Sequence, residues 1–163
     1  MCEWIKKSEQ RGLARIALIQ NAYNLVNRAY EIGLSEETRR EALPLLAYSP
    51  LGSGYLSGKY LNGAKPLRAH LTQFPGFGPR YDAKVNREEA VGAYAEFARS
   101  ASLTPASMAL AFVRSHWFVA STIVGATTMD QLEEDIDCVG VALDAEILAA
   151  IDQIHHGYPN RAA

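Results

Sequence analysis

Apolar and polar positions along this chain fall into blocks whose period switches between that of a helix and that of a strand. Residues 2–11 pattern as the end of an amphipathic helix closed by Gly12, and the apolar run Ile16 to Ile19 is short enough to be a strand. Ser35 to Ala42 reads as a polar helix capped by Ser35; Pro44 ends it before a second strand, Leu45 to Tyr48. Residues 87–101 and 105–115 read as helices, the latter opened by Thr104 as cap and Pro105 at its first position, with Met108 and Phe112 four apart. Val119 to Val124 is apolar or β-branched throughout, as expected of a parallel strand covered on both faces. A helix beginning near Met129 and a last one capped by Asp144, with Ile147, Ile151 and Ile154 on one face, complete the series. Strands separated by helices imply a parallel α/β sheet with right-handed crossovers. Three strands leave two open edges, so the expectation is part of a closed or larger structure.

Composition narrows the classes. The 163 residues are 48% hydrophobic, long enough for one domain with a core, and no internal repeat divides them. Sixteen basic against eighteen acidic residues, with no basic run, argue against nucleic acid as a partner. Cys2 and Cys138 stand far apart without a CxxC or a nearby histidine pair, so reduced thiols are expected, with neither a metal site nor a disulfide framework. The sequence contains no membrane-length apolar run, and a cytoplasmic protein is expected.

Candidate chemistry gathers where the three strands end. Gln20-Asn21, Tyr48-Ser49 and Gly125-Ala126-Thr127-Thr128 all turn polar or glycine-rich, and the carboxyl ends of parallel strands are where loops and helix N-termini converge on ligands. Thr128 and Gln131 form a capping box, beside which Gly125 permits close approach and the unpaired N–H groups favour an anion; an ordinary helix cap is the competing reading. From Ser115 to Asn160 there is no Lys or Arg, so a phosphate there needs a cation from elsewhere. Lys59 is one source, in a stretch where Gly52, Gly54 and Gly58 make a flexible close-approach loop and Ser49, Ser53 and Ser57 supply donors; a plain surface loop is the alternative. Leu56 to Asp82 is a long irregular connection of the kind that forms lids or disorder, and it holds Arg68 and Arg80. His70, His116 and the His155-His156 pair look structural, no Ser-His-Asp or Cys-His order presents itself, and nothing in sequence near Tyr23 lowers its pKa enough to make it a proton donor.

Three stretches, IQNAYNLVNR (19–28), LLAYSPLGSGYLSGKYLNG (45–63) and STIVGATTMDQLEEDI (121–136), together resemble the aldo-keto reductases, most closely the Tas-like and potassium-channel beta-subunit branch. The resemblance implies a partial (β/α)8 TIM barrel: residues 1–163 as a single C-terminal half, about three β/α units (strands six to eight) plus extra helices. It further implies an NADPH cofactor, with NADH left open, and reduction of small aldehydes or ketones to alcohols. By the same resemblance Gln20 would bond the carboxamide and Tyr48 with Ser49 would face the nicotinamide. Pro50, Leu51, Gly52, Ser53 and Gly54 would line the pyrophosphate, and Lys59 would pair with phosphate. Arg68 falls near an arginine that contacts the 2′-phosphate, while Gly125, Thr127, Gln131, Glu134 and Asp135 match positions that hold the adenosine ribose phosphate and the adenine. Asp135 stands where the family usually has asparagine, which adds negative charge beside a phosphate. The family's catalytic tyrosine, lysine, aspartate and histidine come from earlier strands and none maps here, so the expectation is no catalytic residue, little turnover by the chain alone and weak cofactor binding. The alternatives are a non-catalytic nucleotide-binding module, or a remnant that forms a homodimer or domain swap through its open sheet edges.

Overall fold

The computed structural model describes residues 2–75 and 86–160; the remainder of the long connection, Arg80 included, lies outside the described residues. Helix α1 (Cys2–Gln10) leads through Gly12, at φ +62°, into strand β1 (Ile19–Ala22). A short 3-10 turn and helix α2 (Leu34–Arg40) carry the chain to β2 (Leu45–Tyr48). Two 3-10 turns, Gly52–Ser57 and Leu61–Gly63, precede the short helix α3 (His70–Gln73). Helices α4 (Arg87–Ser100) and α5 (Pro105–Arg114) then return the chain to β3 (Val119–Thr122), after which come α6 (Met129–Asp137) and α7 (Ala145–Gly157).

The three strands form one parallel sheet in the order β1-β2-β3, with Ile19 opposite Leu45 and Ala22 opposite Tyr48. A register shift at Leu45–Leu46 lets Val119 and Ser121 pair across from consecutive residues. Leu45 and Ala47 are fully buried beneath helices, whereas Gln20, Ala120 and Ser121 are exposed. One face of the sheet is therefore the core face and the other is largely open. This corrects the expectation that β3 is covered on both sides: Ile123 and Val124, taken there as strand residues, are also exposed and lie beyond its end.

Helix α5 sits at the centre of the core. Thr104 Oγ1 accepts from the Ser107 N–H at 3.0 Å, Pro105 occupies the first helical position, and every residue from Met108 to Val113 is buried. Burial on all sides suits a helix packed against β3, α4 and α6 together. Phe112 stacks on Tyr23 at a centroid separation of 5.9 Å, and Tyr30 and Phe118 close the aromatic cluster. Ile151 of α7 is fully buried with Ile147 and Ile154 packed on the same core, as the spacing of the three predicts. Asp144 Oδ1 accepts from the Ile147 N–H at 2.8 Å, so that expected cap is present.

A polar tie joins distant parts of the chain beside this core. Arg28 donates through Nε and Nη2 to the two carboxylate oxygens of Glu31, at 2.8 and 2.9 Å, and through Nη1 to Asp152 at 2.7 Å. Its backbone N–H donates to Asn160 Oδ1 at 2.8 Å. The Tyr23 hydroxyl donates to Glu31, and its ionisation is pushed far up, chiefly by burial and then by that bond.

Two further expectations shift. Strand β1 begins where the Ile16–Ile19 run ends, because its pairing is set by β2, and Ala17 and Leu18 are exposed. Helix α2 starts at Leu34 without a side-chain cap; the Ser35 hydroxyl donates back to the Glu31 carbonyl at 3.1 Å instead. Among the described residues no helix is long and apolar enough to cross a membrane.

Candidate functional site

The chain leaves β2 through Ser49, whose φ of +56° turns it sharply out of the strand. Buried Asn24, from the loop after β1, fastens this corner by donating Nδ2 to the Ser49 carbonyl at 2.8 Å. The N–H groups of Gly52 and Gly54 then donate to the Ser49 and Leu51 carbonyls, each at 2.9 Å, and Ser57 Oγ donates to the Gly54 carbonyl at 2.8 Å. The expected flexible glycine loop is instead a pair of tight, internally bonded turns, because left-handed glycines close short hydrogen bonds rather than leaving the amides free. At Gly54, φ +91°, a Cβ would lie 2.7 Å from Lys59 Cε and 3.0 Å from its Nζ. The missing side chain is what lets Lys59 cross the loop. Burial lowers the pKa of Lys59, an effect offset in part by Asp135.

The facing wall begins after β3. Gly125, Ala126 and Thr127 lead to the N-terminus of α6, where Thr128 Oγ1 accepts from the Gln131 N–H at 3.3 Å. The reciprocal half of the expected capping box lands one residue earlier: Gln131 Oε1 accepts from both the N–H and the hydroxyl of Thr127, each at 3.0 Å. Further along the helix, Glu134 accepts from the Thr104 hydroxyl, which joins the N-terminus of α5 to the second half of α6. Asp135 is 7% exposed, and among the described residues no donor reaches its buried Oδ2. Its pKa is raised, first by burial and then by neighbouring Glu134, with Lys59 pulling the other way. Such an oxygen is a standing demand for a donor.

Between these walls lies a cleft of about 630 Å³. It brings together the expected residues Ser49, Pro50, Leu51, Ser53, Gly54 and Lys59 from the first loop. From the second it brings Gly125, Thr127, Gln131, Glu134 and Asp135. Four expected residues do not line it. Gly52 is buried under the turn against Leu56 and Val26, and Arg68 is exposed outside the cleft. Gln20, the second residue of β1, and half-buried Tyr48, the last of β2, occupy alternate positions that place both on the sheet face opposite Leu45 and Ala47. His70, passed over as structural, does line the cleft, because α3 folds back onto the Gly52–Ser57 turn; its nearness in sequence to Arg68 was the available signal. Ala106 lines it too, in the first turn of α5. His116 is packed among aromatic rings rather than isolated, its Nδ1 2.7 Å from the Phe112 carbonyl, and burial lowers its pKa.

The sequence relationships agree with this arrangement. The model of the Aldo/keto reductase family matches residues 2–156. Protein tas of Escherichia coli (strain K12) is 48% identical over 155 residues, covering 95% of this chain and 44% of that protein. L-glyceraldehyde 3-phosphate reductase of Escherichia coli O157:H7 is 32% identical, over 82% of this chain and 40% of the relative. A Schizosaccharomyces pombe protein described as a voltage-gated potassium channel subunit beta is 29% identical, over 83% and 44%. The chain thus spans less than half the length of these relatives. A parallel three-stranded sheet, a cleft beyond the carboxyl ends of β2 and β3 and a family match over nearly all the residues lead to one conclusion: the chain belongs to the aldo/keto reductase family, close to Tas and related to the potassium-channel beta subunits.

Proposed function

We propose that this chain is the nucleotide-holding part of an NAD(P)H-dependent reductase of aldehydes and ketones, with its three strands the last three units of the family's eightfold barrel. The observation that carries the reading is the meeting of Lys59 and Asp135, from separate loops, in one cleft. One is a partly desolvated cation suited to a phosphate and the other an orphaned acceptor suited to an amine. The residues fit a dinucleotide in chemistry as well as in placement. Ser53, Gly54 and Lys59, with Ser49, Pro50 and Leu51, take the pyrophosphate, and Gly52 holds their turn in shape. Gly125, Thr127, Gln131, Glu134 and Asp135 take the adenosine end. Gln20 and Tyr48, on the open sheet face, take the nicotinamide. Arg68 stands two residues before His70 and reaches a 2′-phosphate only by swinging inward, so titration with both NADPH and NADH decides between them.

When bound, the nicotinamide supplies a hydride to the carbonyl carbon. The oxygen then needs a proton, and Tyr23, buried with its hydroxyl given to Glu31, is not placed to supply it. In this reading the acid comes from outside these residues, and the chain alone turns over far below the roughly 1 per second of an ordinary enzyme. The outer edges of β1 and β3, unpaired among the described residues, are where the rest of a barrel, or a second copy, would join. Titration of the chain with NADPH and with NADH, followed by nicotinamide fluorescence, tests the binding. Saturation with either, weakened roughly 10–100-fold by Lys59→Met, is expected, the range being that of one charge-assisted contact. No binding at millimolar nucleotide would refute the assignment of the cleft. Aldehyde-dependent NADPH oxidation at about 1 per second or faster would refute the external acid.

A further inference from the structure

We propose that Asn24, which does not line the cleft, is the positioning residue of its phosphate-binding loop: the Asn24 amide holds Ser49 in its left-handed backbone, and the turn that follows carries that placement to Lys59. The inference rests on the nucleotide reading above and deepens it, assigning part of the affinity to a buried side chain that touches no ligand. Asn24 is 1% exposed, and both ends of its amide are engaged. Oδ1 accepts from the Val26 N–H at 3.1 Å, and Nδ2 donates to the Ser49 carbonyl at 2.8 Å. The first bond settles the second: with the oxygen held by an N–H, the NH2 faces the carbonyl. The Asn24 backbone is itself fixed, its N–H and carbonyl both bonded to Asn27 at 3.0 Å, so the amide projects from a closed turn.

Ser49 needs such a hold. Its φ of +56° is disfavoured roughly 5–30-fold for a residue that carries a Cβ. A buried amide–carbonyl bond corresponds to roughly 2–10-fold, which is enough to offset much of that bias. The geometry then passes along the loop. The Ser49 carbonyl also accepts from the Gly52 N–H, the Leu51 carbonyl accepts from the Gly54 N–H, and Gly54 leaves the space that Lys59 crosses. A corner that relaxes toward extended backbone turns the Ser49 carbonyl away, opens this turn and carries the ammonium off the cleft.

The test titrates the full chain with NADPH and NADH, followed by nicotinamide fluorescence, for wild type, Asn24→Ala and Tyr94→Phe, each with and without Lys59→Met. Tyr94 supplies the control: its hydroxyl donates to the Leu25 carbonyl at 3.1 Å, so its removal deletes a buried bond to the same loop and leaves Ser49 alone. Asn24→Ala is expected to weaken binding roughly 5–10-fold, and Tyr94→Phe, matched by its urea midpoint, by less than about twofold. Where Lys59→Met is already present, Asn24→Ala should cost less than about twofold, because the two act through one ammonium. Hydrogen exchange at the Gly52 and Gly54 amides should quicken in Asn24→Ala and not in Tyr94→Phe. Asn24→Ser, whose hydroxyl can still meet the Val26 N–H but is one bond shorter toward Ser49, gives the same readouts should the alanine variant fail to fold. Unchanged affinity in the folded Asn24 variant, or a loss that multiplies in full with that of Lys59→Met, overturns this inference and leaves the nucleotide reading standing. Equal weakening by Tyr94→Phe overturns it too, since the effect would then be one of stability alone. Absence of binding of both nucleotides to wild type overturns both.

Discussion

Gly54 and Gly63 separate two costs that a substitution usually mixes. Both have left-handed backbones, at φ +91° and +71°. Alanine at either position carries the steric penalty of that region, about 1–2 kcal/mol. The surroundings differ. Nothing lies within 4 Å of a Cβ at Gly63, while one at Gly54 would stand 2.7 Å from Lys59 Cε. That contact is too short to persist, yet its partner is a flexible side chain, so Lys59 moves and the fold loses little more. Gly54→Ala and Gly63→Ala should therefore lower unfolding free energy by similar amounts, about 1–2 kcal/mol in urea denaturation. Only Gly54→Ala should weaken nucleotide binding, by roughly 10-fold or more, since the displaced ammonium forfeits a charge-assisted contact of about 1.5–3 kcal/mol. Equal affinities for the two variants would refute the role given to Lys59. Unchanged stability in both would refute the backbone argument.

Three other outcomes follow from the core and its ties. Phe112→Ala removes a buried ring that stacks on Tyr23 and lies under the Arg28 guanidinium, so a loss of about 3–5 kcal/mol is expected in urea melts; a loss under about 1 kcal/mol would mean the site collapses freely. Asp144→Ala removes the cap of α7 and should cost about 1 kcal/mol, with Asp144→Asn close to wild type. Burial holds His116 and His155 below their ordinary 6.5, so the unfolded chain binds more protons than the folded one on the acid side of that value. Stability should therefore fall as pH drops from about 7 toward 5.5, and His155→Gln should reduce the drop. A urea midpoint that rises over that interval would contradict the sign.

Where the sequence spoke through local chemistry, it spoke reliably. Pro44 before Leu45–Tyr48 delimits β2, and Thr104-Pro105 and Asp144 mark helix starts that the structure places at the same residues. The errors occur where a distant partner decides. Ile16 to Ile19 resembles a strand, but pairing of Ile19 with Leu45 moves β1 toward Ala22. Ser35 is the exception, a local misreading: its hydroxyl bonds the Glu31 carbonyl four residues back instead of capping α2. Lys59 and Asp135 were each visible, yet their placement in one cleft depends on the order β1-β2-β3 and on a glycine that yields room to a side chain five residues away. The place of His70 in the cleft wall depends likewise on how α3 folds back onto the Gly52–Ser57 turn.

The Arg28 tie bears on how the chain is made. Its partners Asp152 and Asn160 lie 124 and 132 residues downstream, so the contacts cannot form until residue 160 has left the ribosome. Until then Arg28 lacks Asp152 and Asn160, and the surface that Ile151 will cover stays wet. A nascent chain halted before residue 144 would expose that surface to chaperones and proteases, and emergence of the segment that carries Ile151 and Asn160 should convert it into a protease-resistant form.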